Sequence, residues 1–198
     1  MNIFHKHVSK VFAIRHSLKA VMEAMIFRTQ KNRWAQVAVG GQPSWDSRNE
    51  KIAGFIPAGS SVLDLGCGAQ TLKGHLAPGC EYQPCDLIKS SPEVIVCDFN
   101  AGIYPKLDKK YTYVVCSGVL EYIRDHEQFL KQCRFLGDTL ILSYNAFLPG
   151  DSKIQRMANH WINHFSQPAL EEVFTNVGFN AECMSTSESG EVIYRLIS

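Results

Sequence analysis

The stretch Val62-Leu63-Asp64-Leu65-Gly66-Cys67-Gly68-Ala69-Gln70 constrains the fold more than any other part of the chain. An apolar run breaks into two closely spaced glycines, and a helix-compatible segment, Thr71–Leu76, follows. That order describes a buried strand turning into a helix. Glycines at such a turn accept left-handed backbone angles and let a ligand approach the main chain. In an open α/β sheet, ligands bind just beyond the carboxyl ends of the strands, so this turn is the first place to look for a site.

The rest of the chain alternates in the same way. Strands are expected at Ser61–Leu65, Glu81–Cys85, Val94–Cys97, Tyr111–Cys116 and Thr139–Leu142. Helices are expected at Asp46–Phe55, Thr71–Leu76, Val119–Arg134 with a kink near Arg124-Asp125, and Pro168–Val177. The last has Pro at its start and Gly178 just past its end, the usual asymmetry. Phe179–Met184 and Val192–Ile197 flank Ser187-Glu188-Ser189-Gly190, a hairpin signal. The expected fold is α/β: a doubly wound, mostly parallel seven-stranded sheet closing on a C-terminal antiparallel hairpin, with helices on both faces.

The charge pattern adds a second unit. The 198 residues carry a formal net charge of +1. Residues 1–34 alone carry +6, so the remainder carries −5. Val11, Ile14, Leu18, Val21, Met22 and Met25 recur at helical spacing within the basic part. Gly40-Gly41-Gln42-Pro43 then breaks the chain. The expected division is a basic amphipathic helical extension over 1–44 and a main domain over 45–198. The basic face is either solvated or docked on an anionic partner: a membrane surface, a nucleic acid or an acidic protein.

Composition excludes several classes. The seven cysteines are odd in number and form no CxxC pair, which argues against a disulfide framework or a zinc ribbon. Buried reduced thiols and a cytoplasmic location are expected. No apolar run nears the roughly 20 residues of a membrane span, and the N-terminus lacks the apolar core of a signal peptide.

The glycine turn is selective about ligands. A dinucleotide fingerprint needs a third glycine where Thr71 stands, and a phosphate-binding P-loop needs a Gly-Lys-Ser/Thr ending that is missing. Instead Asp64 precedes Gly66 by two residues. A carboxylate there suits a cationic ligand and repels a pyrophosphate.

Asp64-x-Gly66-x-Gly68 after a strand resembles motif I of the class I S-adenosylmethionine-dependent methyltransferases. Asp86, 20 residues after Gly66, stands where that family places an acid on the ribose hydroxyls. Asp98-Phe99 resembles the family's adenine site. Ser117-Gly118-Val119-Leu120-Glu121-Tyr122 resembles its "VLEH" stretch, with Tyr122 in place of His. His164-Phe165-Ser166 through Leu170 to Val177-Gly178-Phe179 resembles its late "HFS…L…AGF" segment. Gln70 departs from the pattern, which often has a further glycine there. The resemblance implies S-adenosylmethionine as cofactor. It implies cofactor contacts at Asp64, Gly66, Cys67, Gly68, Asp86, Leu87, Asp98, Phe99, Ser117 and Gly118.

Absences narrow the acceptor. The family's amine- and base-methylating branches often carry Asn/Asp-Pro-Pro-aromatic after the fourth strand, where this chain reads Cys116-Ser117-Gly118-Val119. A Pro-Cys nucleophile would belong in the same place, but Pro84-Cys85 lies at the second strand. A small molecule methylated at oxygen is the expectation that remains. A hydroxyl acceptor needs a base. Candidates are His160, His164, Glu121, Asp125 and His126, with His164 and Glu121 put first. His160 and His164 are one helical turn apart and could share a face, but His160-Trp161-Ile162-Asn163-His164 lacks the Glu of HExxH, so no metal is expected. The stretch Tyr144–Gln167, with Phe147, Trp161 and Phe165, is either a cover for the acceptor or ordinary packing. Trp45 and Arg48 precede the first strand, where the resembled family often closes over its cofactor; the other reading, put first, is a hydrophobic anchor and a surface charge. Two other classes stay open. One is a non-catalytic binding module acting through the N-terminal helix, suggested by Gln70 and Tyr122. The other is a nicotinamide-dependent oxidoreductase, which Thr71 disfavours.

Overall fold

A computed structural model describes Trp34 and residues 43–198; the expected amphipathic helix around Val11–Met25 lies outside the described residues. Apolar and β-branched runs form the strands. β1 (Ser61–Leu65), β2 (Glu81–Asp86), β3 (Ile95–Val96), β4 (Tyr111–Ser117) and β5 (Gly137–Asn145) pair in parallel, and β6 (Asn180–Thr186) and β7 (Glu191–Ile197) form the antiparallel hairpin. The order is β3-β2-β1-β4-β5-β7-β6. The chain winds outward one way from β1 to β3 and the other way from β4, so the strand order, not the strand direction, reverses between β1 and β4, which opens a crevice at their carboxyl ends.

Period-two alternation in β1 divides the core. Leu63 and Leu65 pack with Val114, Phe129, Leu130 and Phe174 on one face. Val62 packs with Ile52, Leu72, Val115 and Ile141 on the other. The first face is covered by α3 (His126–Leu136) and α5 (Gln167–Val177), the second by α1 (Pro43–Ala53) and α2 (Thr71–His75). Asp64 shares the face of Val62 and is therefore buried under α1 and α2.

Among the elements that differ from expectation, four bear on the site. α1 begins at Pro43 and ends at Ala53, so it starts before the expected boundary at 44. β3 has two residues rather than four; after the rung from Cys97 N–H to Asp86 O (2.9 Å), Asp98 turns back to bridge Ile103. Pro84, which has no N–H to give, sits one residue before the β2–β3 pairing begins. The expected helix over 119–134 is two pieces. A 3₁₀ turn, Leu120–Tyr122, comes first and is tied by Asn163, whose Nδ2 donates to Leu120 O and Ile123 O (2.7 Å each). α3 then starts afresh with Asp125 as its cap, accepting from Gln128 N–H at 3.0 Å. Finally, α4 (Lys153–Ala158) arises within the stretch after β5, where no helix is expected. It ends before His160, whose φ is +62°, so His160 and His164 do not share a helix face.

A cleft at the carboxyl ends of β1 and β4

The ten expected cofactor residues all line one cleft. Several local devices position them. Gly66 turns at φ +81°, and a Cβ there would lie 2.3 Å from Val119 Cγ2, so only glycine lets β1 and the β4 turn meet. The turn hangs from β2: Gly66 N–H and Cys67 N–H both donate to Cys85 O (2.7 and 3.0 Å). Asp86 completes the tie. Its Oδ2 accepts from Gly68 N–H (2.8 Å) and its Oδ1 from Ile88 N–H (2.9 Å). Each oxygen keeps a second lone pair, so Asp86 can order the loop and still accept from a ligand hydroxyl.

Gln70 explains how the loop manages without the family's further glycine. It adopts the left-handed conformation itself, φ 59° and ψ 30°, and its Nε2 donates to Ser91 Oγ at 3.0 Å. The residue departs from the pattern, and its backbone takes the left-handed conformation that glycine adopts readily.

Asp98 caps the 3₁₀ turn Phe99–Ala101, accepting from Ala101 N–H at 3.2 Å. Phe99 is braced from behind by Tyr104 and Phe129, with centroids at 5.6 and 5.1 Å. Asp64 is almost fully buried and accepts from Tyr82 Oη at 2.6 Å. Burial pushes its carboxyl up to about 7, with the Asp86 charge adding to the rise and the Tyr82 bond and Arg48 opposing it. Burial also pushes the Cys67 thiol well above its ordinary range, which makes it a poor nucleophile. All seven cysteines are free; five are buried, Cys80 is half-buried and Cys183 exposed.

Arg48 is not the surface charge its sequence context suggests. It is 9 % exposed, and its Nε donates to Ser117 Oγ (2.8 Å) and its Nη2 to Ser117 O (3.3 Å). Ser117 Oγ in turn donates to Asn49 Oδ1 (2.7 Å), and Asn49 Nδ2 donates to Thr71 Oγ1 (2.7 Å). This chain joins α1, β4 and α2 at the floor of the cleft. Nothing in the spacing of Arg48 or Asn49 signals it; the partner Ser117 lies 69 residues from Arg48.

The two residues put first as bases are placed differently. Glu121 lines the cleft and is 0 % exposed. Its Oε1 accepts from both Asn145 N–H (2.9 Å) and Asn145 Nδ2 (3.0 Å), while Oε2 has no hydrogen-bond partner among the described residues. His164 is not among the described residues lining the cleft. Its Nδ1 accepts from Arg156 Nε at 3.4 Å, and burial and the Arg156 and Lys153 charges lower its pKa. Asp125 is a helix cap, and His126 packs its ring on Phe165 at 4.9 Å.

The stretch after β5 both packs and covers. Trp161 lines the cleft, whereas Phe147 and Phe165 pack beside it on His164, His126 and Tyr144. The organiser is Arg156, unremarked in the sequence. It donates to Asn145 O (2.5 Å) and Ala146 O (3.3 Å), and its guanidinium lies 4.6 Å over the Trp161 ring. No group of described residues has the makings of a metal site, and no described helix is long and apolar enough to cross a membrane.

Comparison with known proteins bears on the family and the fold. The methyltransferase-domain family profile matches residues 42–183. A bifunctional methionine biosynthesis protein MetXA/MetW of Rhodopirellula baltica is 27% identical over 137 residues, 60% of this chain and 21% of that protein. The chain thus spans about a fifth of that relative's length. A candidate O-methyltransferase of Nostoc punctiforme superposes with a TM-score of 0.73 at 15% identity, covering 95% of this chain and 68% of that one. The 1,6-didemethyltoxoflavin-N1-methyltransferase of Burkholderia thailandensis, solved with S-adenosylhomocysteine, gives 0.58 at 16% identity, covering 91% and 88%. The two structures share the fold. The family profile defines the class: this chain belongs to the methyltransferase-domain family, whose cofactor is S-adenosylmethionine.

Proposed function

We propose that the chain is an S-adenosylmethionine-dependent methyltransferase acting on a small molecule at oxygen. The observation that carries this reading is the convergence of ten motif residues and the Glu121 carboxylate on one cleft. The donor set fits the cofactor. Asp86 offers its remaining lone pairs to ribose hydroxyls, and Asp98 with Phe99 offers a carboxylate and an apolar face to an adenine. A Cβ at Gly68 would point into open space, so the backbone there is bare to a ligand. Asp64, held near neutrality by burial, gains a partner when a cationic tail enters.

When bound, S-adenosylmethionine supplies a methyl group already activated on a sulfonium. The protein therefore mainly aligns the acceptor and manages one proton. Glu121 is the candidate to take that proton: Asn145 holds Oε1, and Oε2 has no hydrogen-bond partner among the described residues. His164 lacks that position in the cleft. The reading as an inactive module is weakened at one of its two motives, because Gln70 takes a glycine-like left-handed backbone conformation.

The test is methyl transfer from labelled cofactor to the small-molecule fraction of a cell extract. Wild type transfers label; Glu121→Gln lowers the rate by about a hundredfold or more with S-adenosylhomocysteine binding retained. Cofactor binding without any transfer contradicts the enzymatic reading.

A further inference from the structure

All three tryptophans of the chain line the same cleft. Trp34 meets Tyr122 edge-on, centroids 4.9 Å apart at 88°, and lies 6.4 Å from Trp45. Trp161 Nε1 donates to Tyr122 Oη at 3.0 Å, which fixes the tyrosine ring. Beside these rings sits Glu121, buried, with Oε1 doubly bonded to Asn145 and Oε2 unpartnered among the described residues. A buried carboxylate oxygen without a donor is costly to keep. An apolar ligand would leave that cost in place, and an aliphatic one would make little use of four aromatic faces and edges.

We propose that the acceptor is a planar aromatic molecule bearing a hydroxyl, its ring held among Trp34, Trp45, Tyr122 and Trp161 and its O–H donated to Glu121 Oε2. This rests on the methyltransferase reading and names the acceptor class for the same cleft. Trp34 lies in the segment expected to be a separate extension, so the N-terminal region contributes to acceptor choice. The cofactor motifs all lie beyond it.

Three probes separate the parts of the idea. Phenol has both ring and donor, anisole only the ring, and cyclohexanol only the donor. Their affinities for the full chain saturated with S-adenosylhomocysteine are read by saturation-transfer NMR. Phenol binds about tenfold more tightly than either of the others. Glu121→Gln brings phenol and anisole close to parity. Trp34→Ala weakens both aromatic probes about fivefold and leaves S-adenosylhomocysteine affinity within about twofold. The proposal is overturned if the S-adenosylhomocysteine-bound chain binds phenol no better than anisole or cyclohexanol, or if neither substitution changes the preference. Failure of S-adenosylhomocysteine to bind at all overturns the methyltransferase reading beneath it instead.

Discussion

Gln70 and Asp64 show how single residues carry strain and charge for the site. Gln70 holds a left-handed backbone without being glycine, at a cost of about 1 kcal/mol that its bond to Ser91 only partly offsets. Gln70→Gly is therefore expected to raise stability by about 0.5–1 kcal/mol in urea unfolding. Asp64 acts through pH. In the unfolded chain an aspartate ionises near pH 4. Folded Asp64 keeps its proton up to about 7. The folded state thus binds the extra proton between those values, and its stability falls as pH rises through them, then levels above 7. Asp64→Asn removes this fall, leaving the ligand-free variant more stable than wild type at pH 8 by as much as ~4 kcal/mol. Thermal melts at pH 5 and pH 8 check this. Asp64, Asp86 and Asp98 were legible because their positions follow fixed strand ends. Arg48, Asn49 and Arg156 were not, because their importance comes from partners or rings set by the fold.

At the scale of elements, the chain keeps its cleft in shape with two clasps. Arg48 and Asn49 hold α1 against the end of β4 through Ser117. Asn163 holds the 3₁₀ turn that presents Glu121 and Tyr122. Asn163→Ala strands Ile123 O, leaves Leu120 O only its bond from Ile123 N–H (3.2 Å), and is expected to cost about 2–3 kcal/mol. Asp125→Ala, which removes a helix cap, is expected to cost about 1 kcal/mol. Denaturant midpoints of the two variants rank them. Equal losses would mean that Asn163 does not hold the turn. The strands were readable from apolar runs with little range to hide in. The helix over 119–134 was not, because Asn163 takes the carbonyls of residues 40 and 43 positions earlier. Periodicity along a segment carries no record of a partner so far away.

For the whole molecule, the sheet order decides where chemistry happens. The reversal between β1 and β4 gathers residues from β1, β2, β4 and the loops beyond into one cleft. The near-zero net charge of +1 conceals a basic N-terminal part and an acidic part that holds Asp64, Asp86 and Asp98. α1 begins at Pro43, just before the expected boundary at 44, and Trp34 lines the cleft. Deleting residues 1–34 is expected to keep cofactor affinity within about threefold, because no motif residue is lost, and to weaken an aromatic acceptor about fivefold through loss of Trp34. Equilibrium titrations of both ligands check the division; a large loss of cofactor affinity would show that the N-terminal part helps build the cofactor end.

The central claim is that the acidic, glycine-turned end of the cleft binds S-adenosylmethionine. Calorimetric titration of the full chain with S-adenosylhomocysteine tests it most directly. Saturable one-to-one binding is expected in wild type, weakened at least about tenfold by Asp86→Ala, which removes both the loop tie and the hydroxyl acceptor. Absence of binding in the folded wild-type protein, or an unchanged affinity in Asp86→Ala, would contradict it.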